Sequence, residues 1–190
     1  MQISWFMPLG VNRNGSTLES LKEVAVAYDE LGYYGSLFPV AGPCLDAWLS
    51  GAVLAAATKR LRMMIAVRPT ATAPHAAALM ATTFEQFSNG RLLVNVISGN
   101  GAKPLAHEGL TLAHDDRYEA TDEFLTIWSA LLRGEDVTFS GRYYAIQNGK
   151  LPVPAVQKPG PTIYFSGSSP AALPVAARHA EVHLSQREPP

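Results

Sequence analysis

The segment with the clearest chemical potential in this chain is Ser166-Gly167-Ser168-Ser169, because a small turn of this kind directs backbone N–H groups and hydroxyls toward one point. Placed between a strand and a helix, it would bind a phosphate at the helix N-terminus. The plainer alternative is that Ser168 or Ser169 caps the helix and binds nothing. A second cluster, His114-Asp115-Asp116-Arg117-Tyr118, crosses from a long loop into a helix. There Asp115 or Asp116 suits an N-cap, Arg117 a solvated or salt-bridged surface position, and His114 either a neutral hydrogen-bonded loop histidine or a ligand contact. Arg68 ends a strand just before Pro69, where a cation can give an anion charge-assisted hydrogen bonds or form a structural ion pair. Asn95 and Ser98 stand at the C-terminal end of another strand, either as cofactor-facing groups or as strand-end hydrogen-bonding residues. Cys44 is the single cysteine and reads as a small hydrophobe without a nucleophile or metal signature, while Asp46 reads as the cap of the helix after it. His75, His107, His179 and His183 show no metal-ligand spacing, so no metal site is expected.

Alternating strands and helices must position these residues. Short β-branched or aromatic runs, at 3–7, 34–38, 61–67, 91–97, 162–165 and 181–184, are separated by longer helical patterns, which favours an α/β fold with parallel strands and crossover helices. Ser16 with Glu19 forms a capping box, and Leu21, Val24, Ala25 and Tyr28 keep one helical face until Gly32. Further helices are expected at about 46–58, from Pro74 to about Phe87, from about Arg117 to Leu132 and from Pro170 to Arg178. The stretch from Ser98 to Asp116 has no clear period and reads as a long βα connection, and a hairpin near 137–146 interrupts the repeat. The whole of 1–190 is expected to be one partial domain. A closed parallel barrel needs about 250 residues, so periodicity leaves two architectures open: a doubly wound sheet or an interrupted barrel.

Composition narrows the partners. With 47% hydrophobic and 16% charged residues the chain can bury a core. Its net charge of −1 and lack of basic runs argue against nucleic acid and anionic lipid. The lone cysteine, the absence of signal-peptide character in MQISWFMPLG and the lack of a long apolar run lead to an expected cytoplasmic location without membrane spans.

Several segments in order, WFMP, LGYYGSLFP, PCLDAWL, RLRMMIAVRP, FEQFSNGRLLVNVISG, HDDRYEATDEFLTIWSALLRGE and YFSGSSP, resemble the bacterial luciferase-like flavin-dependent monooxygenases, closest to the alkanesulfonate branch. The resemblance covers essentially all 190 residues and corresponds to the first half of the family, or slightly more. It implies a (β/α)₈ TIM barrel, here incomplete and open with about six βα units. The activity implied is cleavage of alkanesulfonates to sulfite and an aldehyde with reduced FMN (FMNH₂) and O₂, the flavin coming from an NAD(P)H-dependent FMN reductase. By the same resemblance Ser168 and Ser169 hold the FMN phosphate, and His114, Tyr118, Asn95, Ser98 and Asp46 approach the flavin. Arg68 meets the phosphate or the sulfonate, and Cys44 has a positioning role beside the flavin. Gln186 and Arg187 depart from the pattern, replacing a tryptophan and a glycine, and so weaken the substrate assignment. The chain is expected to be truncated, with open sheet edges, a tendency to form a homo-oligomer and little turnover alone. A flavin-binding accessory protein, or a relative using deazaflavin or another substrate, are the alternatives.

Overall fold

The computed structural model describes residues 2–10, 17–99, 106 and 108–185. Six strands, β1 (Ser4–Phe6), β2 (Gly35–Phe38), β3 (Arg62–Val67), β4 (Leu92–Ile97), β7 (Ile163–Ser166) and β8 (Val182–His183), form one sheet in strictly sequential order, every pair parallel. A doubly wound sheet reverses its strand order at a switch point. No reversal occurs here, so the sheet is an open section of a TIM-type barrel. The hairpin β5 (Val137–Ser140) and β6 (Ala145–Gly149) forms a separate antiparallel pair, running three residues beyond the expected limit.

Alternation along the strands separates two environments. Met63, Ile65 and Val67 of β3, with Leu92, Val94 and Val96 of β4, join the large core beneath helices α1 (Leu18–Glu30), α2 (Ala47–Ala57), α3 (Pro74–Ser88), α4 (His114–Arg133) and α5 (Ala172–His179). The intervening Met64, Leu93 and Tyr164 make a smaller cluster with Leu37 on the opposite, concave face. Successive helices pack on one another, α1 on α2, α2 on α3, α3 on α4 and α4 on α5, as an outer layer. A right-handed crossover after each strand requires this arrangement. β1 and β8 end the order, and Trp5 and Phe6 on β1 stand more than half exposed.

Local chemistry explains most element ends and two departures from expectation. The capping box at the start of α1 belongs to Thr17 and Ser20: the Ser20 N–H donates to Thr17 Oγ1 at 3.2 Å and the Thr17 N–H donates to Ser20 Oγ at 3.1 Å. A threonine hydroxyl one position later offers the same acceptor, and serine takes the place expected for Glu19; Ser16 lies outside the described residues. Helix α4 begins at His114, a turn earlier than its apolar period suggests, with Ala113 as the N-cap position. Asp115 and Asp116 therefore fall in the first turn, where their charge suits the helix dipole, and neither is the cap.

Buried carboxylates clamp connections at the N-terminal end of the sheet. Asp29 accepts backbone N–H groups of Lys59, Arg60 and Leu61 at 2.6–2.8 Å, fixing the entry to β3. Glu85 is fully buried and receives the Leu92 N–H together with the Gln157 N–H and side-chain amide. On the other flank, Glu123 of α4 accepts the N–H groups of Arg142, Tyr143 and Tyr144 and holds the hairpin turn.

Burial raises the Asp29 carboxyl, but the three backbone donors and the Arg60 charge overcome it and hold it below the usual value. A depressed folded-state pKa contributes stability above the unfolded pKa that is lost as pH falls through the folded value. Asp29→Asn should therefore cost about 1–3 kcal/mol near neutral pH, because its amide meets backbone N–H groups donor to donor. In denaturant titrations the gap from the parent chain should narrow as pH drops below the carboxylate range; a pH-independent gap would contradict the charged clamp.

Candidate functional site

In a parallel barrel sheet the loops after the strands all emerge at one end, and every residue singled out for chemistry lies at or near that end. Cys44 and Asp46 follow β2, Arg68 follows β3, Asn95 lies in β4 with Ser98 just after it, His114 and Tyr118 begin α4, and Ser168 and Ser169 follow β7. A groove of about 190 Å³ beside Trp128, Arg133, Arg178 and Glu181 lies at the opposite end, where α4 and α5 finish, away from these residues.

Tyr118 is buried and packs its ring between those of His114, at 5.1 Å, and Phe165, at 6.4 Å. Its hydroxyl lies against Gly167: a Cβ there would come within 3.0 Å of Tyr118 Oη, 3.1 Å of the Ala172 Cβ and 3.2 Å of Phe165 Cε1. A side chain there would crowd all three, so glycine suits this approach, which brings the phenol to the Ser-Gly-Ser-Ser turn. His183 Nε2 lies 2.8 Å from the Gly167 carbonyl oxygen and holds the turn from its far side. Ser169 receives the Ala172 N–H on its Oγ at 3.3 Å and on its carbonyl at 2.9 Å, a local bond to the first residue of α5, although the N-cap position is Ala171 and not a serine, while Ser168 remains exposed.

Asn95 is buried on the concave face, and its Oδ1 accepts the Ser166 hydroxyl at 2.8 Å. Ser98 is buried nearby. His114 is half exposed and pairs through Nδ1 with Asp115 at 2.6 Å. Asp46 accepts the Leu49 N–H at 2.7 Å as the cap of α2. Cys44 is partly buried, bridged by backbone to Gly10 and packed at the rim of the core.

The strongest electrostatic feature here is a pair of buried arginines. Arg117 is only 4% exposed, which overturns its reading as a surface group. Its helix face turns inward, and Nη1 and Nη2 donate to the carbonyls of Leu112 and Gly99, bracing both ends of the long loop; residues 100–105 and His107 lie outside the described residues. Arg68 is buried too, donating to the Val40 carbonyl and forming an ion pair with Glu108. Burial first, and the neighbouring Arg117 charge second, lower the Arg68 pKa, yet a guanidinium stays charged at neutral pH. Among the described residues the Nε of each arginine finds no hydrogen-bond partner. Two enclosed cations with unpaired N–H groups favour an anion at this end of the sheet. The helix phase carries the signal that the surface reading of Arg117 passed over, since Arg117 lies four, seven and eleven positions before the buried Thr121, Phe124 and Trp128, whereas nothing in the loop composition marks the exposed Glu108 as the ion-pair partner of Arg68.

A family model described as luciferase-like monooxygenase matches residues 1–190. The chain belongs to the luciferase-like monooxygenase family. Among solved structures, the fold resembles a riboflavin lyase with modified FMN and riboflavin at 19% identity and TM-score 0.86, covering 100% of this chain and 55% of that one. It also resembles a long-chain alkane monooxygenase, at 20% identity and TM-score 0.83, covering 96% and 55% of the two chains. A coenzyme F420-dependent tetrahydromethanopterin reductase from Methanopyrus kandleri matches at 14% identity and TM-score 0.78, covering 96% and 54%. The chain thus spans about half the length of these structures. Among the described residues no group of three or more His, Cys, Asp or Glu side chains is placed to hold a metal ion, and no helix is long and apolar enough to cross a membrane. Gln186 and Arg187 lie outside the described residues.

The close contact at Gly167 yields a direct test. Gly167→Val should lower thermal stability by about 1–3 kcal/mol through overpacking against Tyr118 and Phe165. Gly42→Ala, where a Cβ meets nothing within 4 Å, should leave calorimetric melting unchanged. Equal effects from the two would show that Tyr118 does not press on the turn.

Proposed function

We propose that this chain supplies the cofactor-binding part of an FMNH₂- and O₂-dependent monooxygenase that converts alkanesulfonates to aldehyde and sulfite. The observation that carries this reading is the meeting of the Tyr118 hydroxyl with the Ser-Gly-Ser-Ser turn, beside two buried arginines. The residues fit a phosphorylated flavin. Tyr118, Ser168 and Ser169 with their backbone N–H groups suit the phosphate, and the Asn95 amide, held by Ser166, suits the edge of a planar ring.

When bound, reduced FMN supplies the electrons for O₂ activation, and the protein orients it and excludes water. Ser98 and His114 flank the same region, and Asp46 anchors the loop that carries Cys44, which positions rather than reacts. Arg68 receives the sulfonate, its unpaired Nε supplying a charge-assisted donor. An NAD(P)H-dependent FMN reductase is the proposed source of reduced flavin. A deazaflavin-using relative with another substrate is the second reading, favoured by the F420-dependent reductase of the same fold.

Anaerobic titration of the purified chain with FMNH₂ and with reduced riboflavin, followed by aeration with a short alkanesulfonate and a sulfite assay, tests this. FMNH₂ should bind at least about tenfold more tightly than reduced riboflavin, and Ser168→Ala with Ser169→Ala should erase most of the difference. Sulfite formation would extend the activity to this chain itself. Equal binding of the two flavins, or binding of neither, would contradict the phosphate site.

A further inference from the structure

The strand exits enclose two cations, Arg68 and Arg117, and offer them one carboxylate. Arg68 has 7% of its side chain exposed, and Glu108, its ion-pair partner, 36%. The other acidic groups near this end are committed elsewhere: Asp46 accepts the Leu49 N–H, Asp115 pairs with His114 and Asp116 accepts the Tyr143 hydroxyl. Among the described residues, then, Glu108 alone reaches either arginine. Beyond that ion pair Arg68 donates to the Val40 carbonyl, at a long 3.4 Å. Two positions on, the Thr70 hydroxyl is buried and finds no partner among the described residues. Compensation of the enclosed Arg68 charge therefore rests on a single side chain.

That side chain is the more accessible of the pair, so it can return to water while the guanidinium stays enclosed. We infer that Glu108 is a built-in competitor for the sulfonate: its carboxylate holds Arg68 until a sulfonate takes its place. The inference rests on the reading of Arg68 as the sulfonate receptor. Carboxylate and sulfonate are both monoanions that accept N–H donors through oxygen, so the exchange conserves the charge beside the arginines. A neutral ligand offers no such exchange, and the ion pair excludes it; Glu108 thereby sets selectivity for anions. It also sets affinity, because a ligand binds more weakly in proportion to the fraction of time its partner is occupied. The backbone registers the exchange as well. The segment from Glu108 to Leu112 is tethered at its two ends, by Arg68 to the Glu108 carboxylate and by Arg117 Nη1 to the Leu112 carbonyl at 3.1 Å. An arriving sulfonate releases the first tether and leaves the second.

Isothermal titration calorimetry of the full chain with ethanesulfonate, FMN being present, tests this. Glu108→Gln should tighten binding at least about tenfold, and Arg68→Gln should abolish it. Asp115→Asn removes an equal charge near the same end from an exposed pair with His114, and should change the affinity less than about twofold. Should a variant fail to fold, amide hydrogen exchange of the unmodified chain reads the same event: ethanesulfonate should speed exchange from Gly109 to Leu112, the reverse of the protection a ligand ordinarily confers. Equal affinity in the parent and Glu108→Gln chains, with loss in Arg68→Gln, would overturn the competitor and leave Arg68 as the sulfonate receptor. Binding indifferent to Arg68→Gln, or binding to none of the chains, would overturn both. A gain matched by Asp115→Asn, or slowed exchange from Gly109 to Leu112, would overturn the competitor alone.

Discussion

The parallel return of the chain after every strand governs this molecule. With helices confined to the convex face, each strand enters from one end and leaves at the other, so residues far apart in sequence meet at the exit. Cys44, Arg68, Asn95, His114 and Ser168 share a neighbourhood for that reason alone, although up to 124 positions separate them. The opposite end is given to stability, and there buried Asp29 and Glu85 satisfy backbone N–H groups that the strand entries would otherwise leave unpaired.

At the exit end the balance is different. Enclosing Arg68 beside Arg117 is costly, and the Glu108 ion pair with three carbonyl acceptors offsets only part of that cost. An anion drawn to the unpaired N–H groups would relieve the rest. Tyr118 connects this charged region to the glycine turn: it follows Arg117 in the first turn of α4 and places its hydroxyl against Gly167. The carboxylate clamps thus gather at one end and the enclosed arginines at the other, the division expected of a barrel whose loops carry the chemistry.

The strand–helix alternation was legible in the sequence because buried parallel strands leave short, dense apolar runs such as RMMIAV and LLVNVI between longer helical segments. What periodicity could not decide, a doubly wound sheet against an open barrel, depends on strand order, a tertiary property. Charged residues near element starts were the hardest to place. Arg117 reads as a surface side chain because its neighbours are acidic, although its place seven positions before Phe124 puts it on the buried face of α4. Ser169 illustrates the reverse, for a local bond to the start of the helix was foreseen and its Oγ does receive the Ala172 N–H, although Ala171 holds the N-cap position, while its role toward a ligand rests on surroundings no local pattern encodes. The family resemblance identified the lineage, whereas the alkanesulfonate assignment remains a reading of single side chains.

The most direct measurement is a crystal structure of the chain grown with FMN. The account predicts the phosphate at the 166–169 turn within hydrogen-bonding reach of the Tyr118 hydroxyl, and the ring system on the concave face beside Asn95. FMN seated in the groove at the opposite end, between the finishing turns of α4 and α5, would contradict it.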